Sequence, residues 1–383
     1  MNALVTYPAT PENEKAEALR KEIRAFLEAE LAGVSPVIRA RSWTGYDAEF
    51  SRKLGERGFI GMTWPKKYGG HERSNAERYV VIEECLAAGA PVAAHWIADR
   101  QSGPLLLRYG TEGQKQEFLP RIAAGEFYTC IGMSEPDAGS DLAAVRTRAE
   151  PVEGGYRVNG TKLWTTNAHN AHAMLLFCRT SGTPADRQKG TSQLLVDLSL
   201  PGIEIRPITD IAGDRHFNEV TFQDAFVPAD ALVGEEGNGW EQVMNELAYE
   251  RSGPERFLSS MALIEGLADL LRTSAGEAAE IAIGRLVSHI ATLRFMSRGV
   301  AAMLENGENA NPHATIVKDL GAVLEQSIPD VARSLVDMSP DDVTTRDFLS
   351  LLAYTEAITP AFSLRGGTRE ILRGIIARGL GLR

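Results

Sequence analysis

Ile131-Gly132-Met133-Ser134-Glu135-Pro136-Asp137-Ala138-Gly139-Ser140-Asp141 and Lys162-Leu163-Trp164-Thr165-Thr166-Asn167 are the two stretches on which the fold of this chain turns. The first packs a proline, two glycines and short hydroxyl and carboxylate side chains into one loop. Such a loop can turn successive backbone N–H groups toward an anion or a polar ring edge. The second follows Tyr156-Arg157-Val158-Asn159-Gly160, where Asn-Gly between β-formers predicts a two-residue hairpin turn. A return strand ending in Trp164 beside Thr165 and Thr166 suits a planar heteroaromatic ligand. The same residues also describe a plain β core with a glycine turn and a buried tryptophan.

Outward from this centre, the periodicity changes twice. Toward the N-terminus, residues 1–125 read as helices. Glu14 to Leu31 sets Ala16, Leu19, Ile23, Phe26 and Leu27 at three- and four-residue steps. Further helices are expected over 47–58, 76–88, 101–109 and 112–123. The Gly61 to Gly70 stretch, with Pro65 and a glycine pair, reads as a loop. Residues 126–235 alternate in short runs separated by Gly, Pro and Asn, which predicts a β domain, a small barrel or sandwich. From 236 to 383 helices return, over 240–249, 254–272, 278–305, 314–337 and 348–355. The fold class is α+β: an N-terminal helical domain, a middle β domain and a C-terminal helical bundle.

Composition narrows the function. The chain has 383 residues and a formal net charge of −11, which disfavours nucleic acid and anionic membrane surfaces as partners. Three cysteines, Cys85, Cys130 and Cys178, lie far apart and read as reduced core thiols. No basic-then-apolar leader opens the sequence and no run is long enough to span a membrane, so a cytoplasmic protein is expected. The nearest histidine pair, His169 and His172, lacks neighbouring cysteines or carboxylates, and no metal site is expected.

One acidic residue stands out. On the helix that begins near Trp240, Val243, Leu247 and Glu250 fall at i, i+4 and i+7. An inward carboxylate must be paired, neutral or employed. Glu250 therefore either pairs with Arg251 or Arg256, frays into solvent before Pro254, or serves as a base whose pKa burial raises.

Together, and in this order, the two central stretches resemble the acyl-CoA dehydrogenase flavoproteins. The resemblance runs along the chain: Thr63-Trp64-Pro65 with Tyr68-Gly69-Gly70, then Arg108 to Lys115, Leu119 to Ile122 and Gly125-Glu126, look like the family's N-terminal signatures. It implies α,β-dehydrogenation of an acyl-CoA thioester to a trans-2-enoyl-CoA, with FAD as cofactor and an electron-transfer flavoprotein as electron acceptor. Many members carry the base just before a Gly-Thr pair, where this chain has Gly366 in Arg365-Gly366-Gly367-Thr368. Others place a glutamate on the helix after the β domain, which matches Glu250. Tyr249-Glu250-Arg251 with Gly366-Gly367-Thr368 resembles bacterial members acting on bulky, branched or ring-containing acyl groups, including steroid side chains.

By the same resemblance, Ser134 meets the flavin pyrimidine edge, with Ile131 and Met133 lining the ring. Gly139 and Ser140 contact phosphates, and Ser140 also touches CoA. Trp164, Thr165 and Thr166 form the ring wall, and Thr368 and Glu370 meet the adenosine half. The backbone N–H of Gly366 polarises the thioester carbonyl, and Arg251 lies near CoA or the base. Two departures stand beside this. The family's Arg-x-x-Phe-Gly and Gln-x-x-Gly-Gly segments, which serve a neighbouring subunit's FAD, are missing: residues 273–284 hold no Phe-Gly, and residues 334–340 hold no Gly pair. The expected assembly is thus a homo- or hetero-oligomer, a dimer of dimers. The competing readings are a non-catalytic or half-site partner subunit and a flavin oxidase or monooxygenase on the same fold.

Overall fold

The structure is a computed structural model describing residues 5–10, 14–272, 276–338 and 342–382, and within these all side chains except those of residues 246–250. Its contacts define two compact units. One comprises Met1–Gly45, Arg73–Val92 and Ala248–Arg383, and the other Tyr46–Glu72 and Ala93–Leu247. Among the described residues no helix is long and apolar enough to cross a membrane.

The second unit is built on one sheet of seven strands: β1 (Thr129–Gly132), β2 (Arg148–Val152), β3 (Gly155–Thr166), β4 (Ala173–Arg179), β5 (Thr191–Asp197), β6 (Ile203–Ile208) and β7 (Phe217–Pro228). The order is β1-β4-β2-β3-β7-β6, with β5 added on β4. β4 is buried along its whole length, as an apolar run between neighbours demands. Its residues Met174, Leu176 and Cys178 join Val158, Leu194, Val196, Val220 and Phe222 in the core. Helices Ala48–Glu56, Gly103–Tyr109, Glu112–Ala123 and Gly239–Glu250 belong to or enter this unit.

The Asn159-Gly160 hairpin is not formed. β3 runs straight through it, and the turn lies at Glu153-Gly154, where Gly154 has φ +79°. The reason is local. Asn159 spends its side chain across the sheet, Nδ2 donating to Asp224 Oδ1 (3.0 Å) and Oδ1 accepting from Asp224 N (2.9 Å). Gly160 forms a bulge instead, its φ of +145° and the nearness of Thr147 leaving no room for a Cβ.

The first unit is helical. Helix Glu14–Glu30 buries Ala16, Leu19, Ile23, Phe26 and Leu27 as its spacing predicts, and packs on Asn75–Ala87. Helices Glu277–Glu305 and Asn311–Leu335 form a long pair, joined by Met261–Leu271, Val343–Ile358 and Arg369–Gly379. The expected single helix over 254–272 is broken. A one-turn element, Pro254–Arg256, precedes Met261–Leu271, because Glu325 Oε1 takes the Ser259 N–H (2.8 Å) that a continuous helix would use internally. Helix Arg369–Gly379 has no counterpart in the sequence reading. All three cysteines are free and buried; burial pushes the Cys85 and Cys178 thiols up to about 12.

Candidate functional site

In the β unit the two central stretches meet. Leu163 N–H donates to Ser134 O (2.9 Å), laying the loop after β1 against β3. Within the loop, Glu135 and Ala138 exchange backbone bonds of 2.8 and 3.2 Å and tighten it into a turn. Ile131, Met133 and Ser134 are partly exposed, while Gly139 and Ser140 are exposed. Met133 packs against the cluster of Val145, Phe177 and Val243, with Leu142 and Trp240 beside it.

The register of β3 slips between Lys162 and Thr165. Alternation that buries Val158 and Lys162 would bury residue 164 as well. Instead Trp164 adopts φ +62° and stands 55% exposed, and Thr165 turns inward at 2%. A bulky residue in the left-handed region is a strained conformation, of the kind found at functional surfaces. The plain alternative of a buried tryptophan is thus overturned. The indole lies edge-on to Phe217 (5.8 Å). Thr165 Oγ1 and Asn167 Nδ2 are buried with no hydrogen-bond partner among the described residues, and Thr166 is partly exposed.

Beneath this surface lie groups the sequence reading missed. Lys162, fully buried, donates from Nζ to Met133 O (3.1 Å) and Glu135 Oε1 (2.8 Å). Glu135 also accepts from Arg146 N (2.7 Å) and Thr147 N (2.9 Å). Burial alone would raise the Glu135 carboxyl, but Lys162 and these amides hold it below the usual range. Burial pulls Lys162 downward against the attraction of Glu135. Arg179, also buried, donates to the carbonyls of Val145, Lys189, Ala143 and Arg187. The one available signal was parity: Lys162 shares the inward face of β3 with Val158.

The nearest histidine pair is engaged in hydrogen bonds of the β unit. His169 Nδ1 lies 2.8 Å from Asn218 Oδ1, and His172 Nδ1 accepts from Tyr128 N (3.0 Å). Among the described residues, Asp210, Asp214 and His216 come close enough to hold an ion. Asp210 Oδ1 accepts from Ala212 N and Asp214 N, both at 2.9 Å, in a side-chain turn, while Oδ2 lies 3.7 Å from His216 Nδ1.

Helix Gly239–Glu250 begins against β5, where a Cβ on Gly239 would come within 2.7 Å of Ser192 backbone. Val243 is fully buried and Gln242 Nε2 donates to Val233 O (2.7 Å). The backbone of Glu250 ends this helix; its side chain, like that of Leu247, lies outside the described residues.

In the helical unit, Arg251 is 3% exposed, not a solvated helix-end charge. Its Nε donates to Gly366 O (3.3 Å) and its Nη1 to Asn311 Oδ1 (3.2 Å). Gly366 and Gly367 have φ of +70° and +101°, conformations that favour glycine. A Cβ at Gly366 would sit 3.2 to 3.3 Å from the Arg256 guanidinium, itself 4% exposed. Arg365 Nη2 donates to Glu255 O, Ser259 Oγ and Glu325 Oε2 at 2.8, 2.8 and 2.7 Å. Thr368 then takes the extended N-cap position of Arg369–Gly379, without a side-chain capping bond. Glu370 is held below the usual carboxylate range by its own backbone N–H and by the Thr368 hydroxyl.

The residues present fit a flavin: an exposed ring on a fixed backbone, partly exposed hydroxyls beside it, and an exposed Gly-Ser turn. Comparison with known proteins gives the class. The sequence models of the acyl-CoA dehydrogenase N-terminal and middle domains match residues 13–126 and 130–225. The chain belongs to the acyl-CoA dehydrogenase family of flavoproteins and is an oxidoreductase of that class. Acyl-CoA dehydrogenase IpdE1 of Mycobacterium tuberculosis is 33% identical over 96% of this chain and 98% of its own length. FadE29 of the same organism is 33% identical over 85% and 86%. Among solved structures, the Tcur3481-Tcur3483 steroid ACAD has a TM-score of 0.86 at 26% identity, covering 97% of this chain and 99% of that one. The ChsE4-ChsE5 complex from Mycobacterium tuberculosis has 0.83 at 27%, covering 98% and 99%.

Proposed function

We propose that this protein is an FAD-dependent dehydrogenase that converts a bulky, branched or ring-containing acyl-CoA to its trans-2-enoyl-CoA and passes the electrons to an electron-transfer flavoprotein. The observation that carries this reading is the strained, outward Trp164 joined through Leu163 to the Ser134 loop. The name of a structural neighbour, a steroid ACAD, supports the substrate class.

Ile131, Met133, Ser134, Trp164 and Thr166 hold the ring, with the inward-turned Thr165 behind them rather than on the surface; Gly139 and Ser140 hold the phosphates, Thr368 and Glu370 the adenosine half. Bound FAD supplies the acceptor for the substrate β-hydride. Glu250 removes the α-proton. The Gly366 N–H donates to the thioester carbonyl and acidifies the α-carbon. Arg251, by holding the Gly366 carbonyl, fixes the Gly366–Gly367 peptide and so restrains the turn that presents this N–H. The three-domain division at 125/126 and 235/236 belongs to the same reading.

Reconstitution tests it. The protein is mixed with FAD alone, then with FAD and a candidate partner chain, and offered branched and ring-containing acyl-CoA. A yellow protein that yields the 2-enoyl-CoA is expected; a protein colourless in both mixtures refutes the reading. A second reading, a partner subunit without its own turnover, is favoured by the missing Phe-Gly and Gly-Gly segments and by the paired names of both structural neighbours. It predicts that Glu250→Gln leaves turnover of the complex intact.

A further inference from the structure

An ammonium–carboxylate pair buried in a β core is not needed to fill space. A neutral residue of similar volume is often as stabilising, since two charges must be stripped of water. What such a pair supplies is a fixed register between the segments it joins. Here the segments are the two that make the proposed flavin surface. Met133, Ser134 and Glu135 are successive loop residues, and each is held from β3: Met133 O and Glu135 Oε1 by Lys162 Nζ, Ser134 O by Leu163 N–H. Glu135 in turn fastens Arg146 N and Thr147 N, the residues leading into β2. The next residue along β3 is Trp164, already on the bulge. The loop cannot shift without moving Lys162, and Lys162 cannot shift without moving the bulge.

We propose that Lys162, through Glu135, is a positioning residue for the flavin: the pair couples the Ser134 loop to the Trp164 bulge so that both present one fixed surface to the ring. Lys162 is fully buried, so it acts through the segments it joins. This rests on the flavin reading of that surface.

The test uses the full chain carrying Lys162→Met, compared with Leu194→Ala, a fully buried core position on β5, as a control for general destabilisation. Thermal unfolding of the apoprotein, FAD affinity, the visible spectrum of bound flavin, and iodide quenching of Trp164 are measured. The quenching is isolated by subtracting a Trp164→Phe background. Lys162→Met is expected to weaken FAD binding by about tenfold or more, the size of effect seen when groups supporting a bound centre are removed. It should also blur the flavin spectrum and change Trp164 quenching, all beyond what Leu194→Ala does at matched stability. Glu135→Gln, which keeps the shape and one acceptor, should fall between wild type and Lys162→Met. Should Lys162→Met fail to fold, Glu135→Gln carries the same comparison. Equal FAD affinity in wild type and Lys162→Met, or a loss no larger than that of Leu194→Ala, overturns the proposal. If wild type itself takes no FAD, the flavin reading fails instead, and Trp164 quenching in the apoprotein still reads the coupling.

Discussion

The Ser134–Trp164 surface of the β unit and the Gly366-Gly367 turn of the helical unit are both held by a buried cation that donates to a backbone carbonyl. Lys162 takes Met133 O in the first, and Arg251 takes Gly366 O in the second. They differ in how charge is balanced. Lys162 has one dedicated carboxylate, and that carboxylate is completed by two amides. Around Gly366, Arg251, Arg256 and Arg365 crowd together with Glu255 and Glu325, and Arg365 Nε and Nη1 are buried with no hydrogen-bond partner among the described residues, the guanidinium lying over the Phe362 and Trp43 rings. Burial lowers Arg365 accordingly. A closed pair fixes geometry within the chain. The cluster around Gly366 mixes three guanidinium groups with two carboxylates, and its glycine turn depends on side chains drawn from several helices.

Four perturbations separate the two regions. The largest lies in the β unit, where His95 is buried against Ser51 Oγ (2.8 Å) and burial pushes the imidazole from 6.5 down to about 4. As pH falls the unfolded chain takes this proton first. Stability is unaffected above about 6.5, then lost progressively down to about 4, roughly 3 kcal/mol in all. Thermal unfolding across that window should show the loss, and His95→Gln should flatten it; an identical acid limb in the variant assigns the loss elsewhere. Next, Arg251→Met strips the Gly366 carbonyl and Asn311 of a donor. A loss of about 1–3 kcal/mol is expected, with a higher KM for acyl-CoA. Unchanged KM and stability would remove Arg251 from the turn's support.

Smaller still is Gly366→Ala, strained by its φ of +70° and by Arg256 at 3.2 Å, with an expected loss of about 1–2 kcal/mol in denaturant unfolding. The smallest effect carries the opposite sign. Trp164→Asn relieves a positive φ in a residue type that tolerates it. It should stabilise the apoprotein by roughly 1 kcal/mol while weakening FAD. A variant that loses both stability and FAD would show that Trp164 is core packing, not a presented surface.

The sequence carries the elements whose signal is local. β4 is an apolar run and its limits, Ala173 and Arg179, are read directly. Helix Glu112–Ala123 follows from its Thr111 cap and its apolar spacing. What escapes depends on partners distant in sequence. Asn159-Gly160 has the composition of a turn, but Asp224 captures the asparagine and makes a bulge. The break at Ser259 requires Glu325, remote in sequence. Trp164 and Thr165 exchange faces because of a register slip that no alternation rule announces. The carbonyl acceptors of Lys162 and Arg251, Met133 O and Gly366 O, are likewise remote in sequence. Of the three residues that set the expected face of Glu250, Val243 is fully buried, and the side chains of Leu247 and Glu250 lie outside the described residues.

The proposed role of Glu250 is tested most directly by anaerobic titration of FAD-loaded protein with a branched or ring-containing acyl-CoA, following the flavin's visible absorbance in wild type and Glu250→Gln. Wild type should bleach as substrate is added. The Gln variant should hold its FAD and its colour, with turnover reduced about a thousandfold, within the range for removal of a general base. Bleaching of the variant at the wild-type rate would contradict the assignment of the α-proton to Glu250.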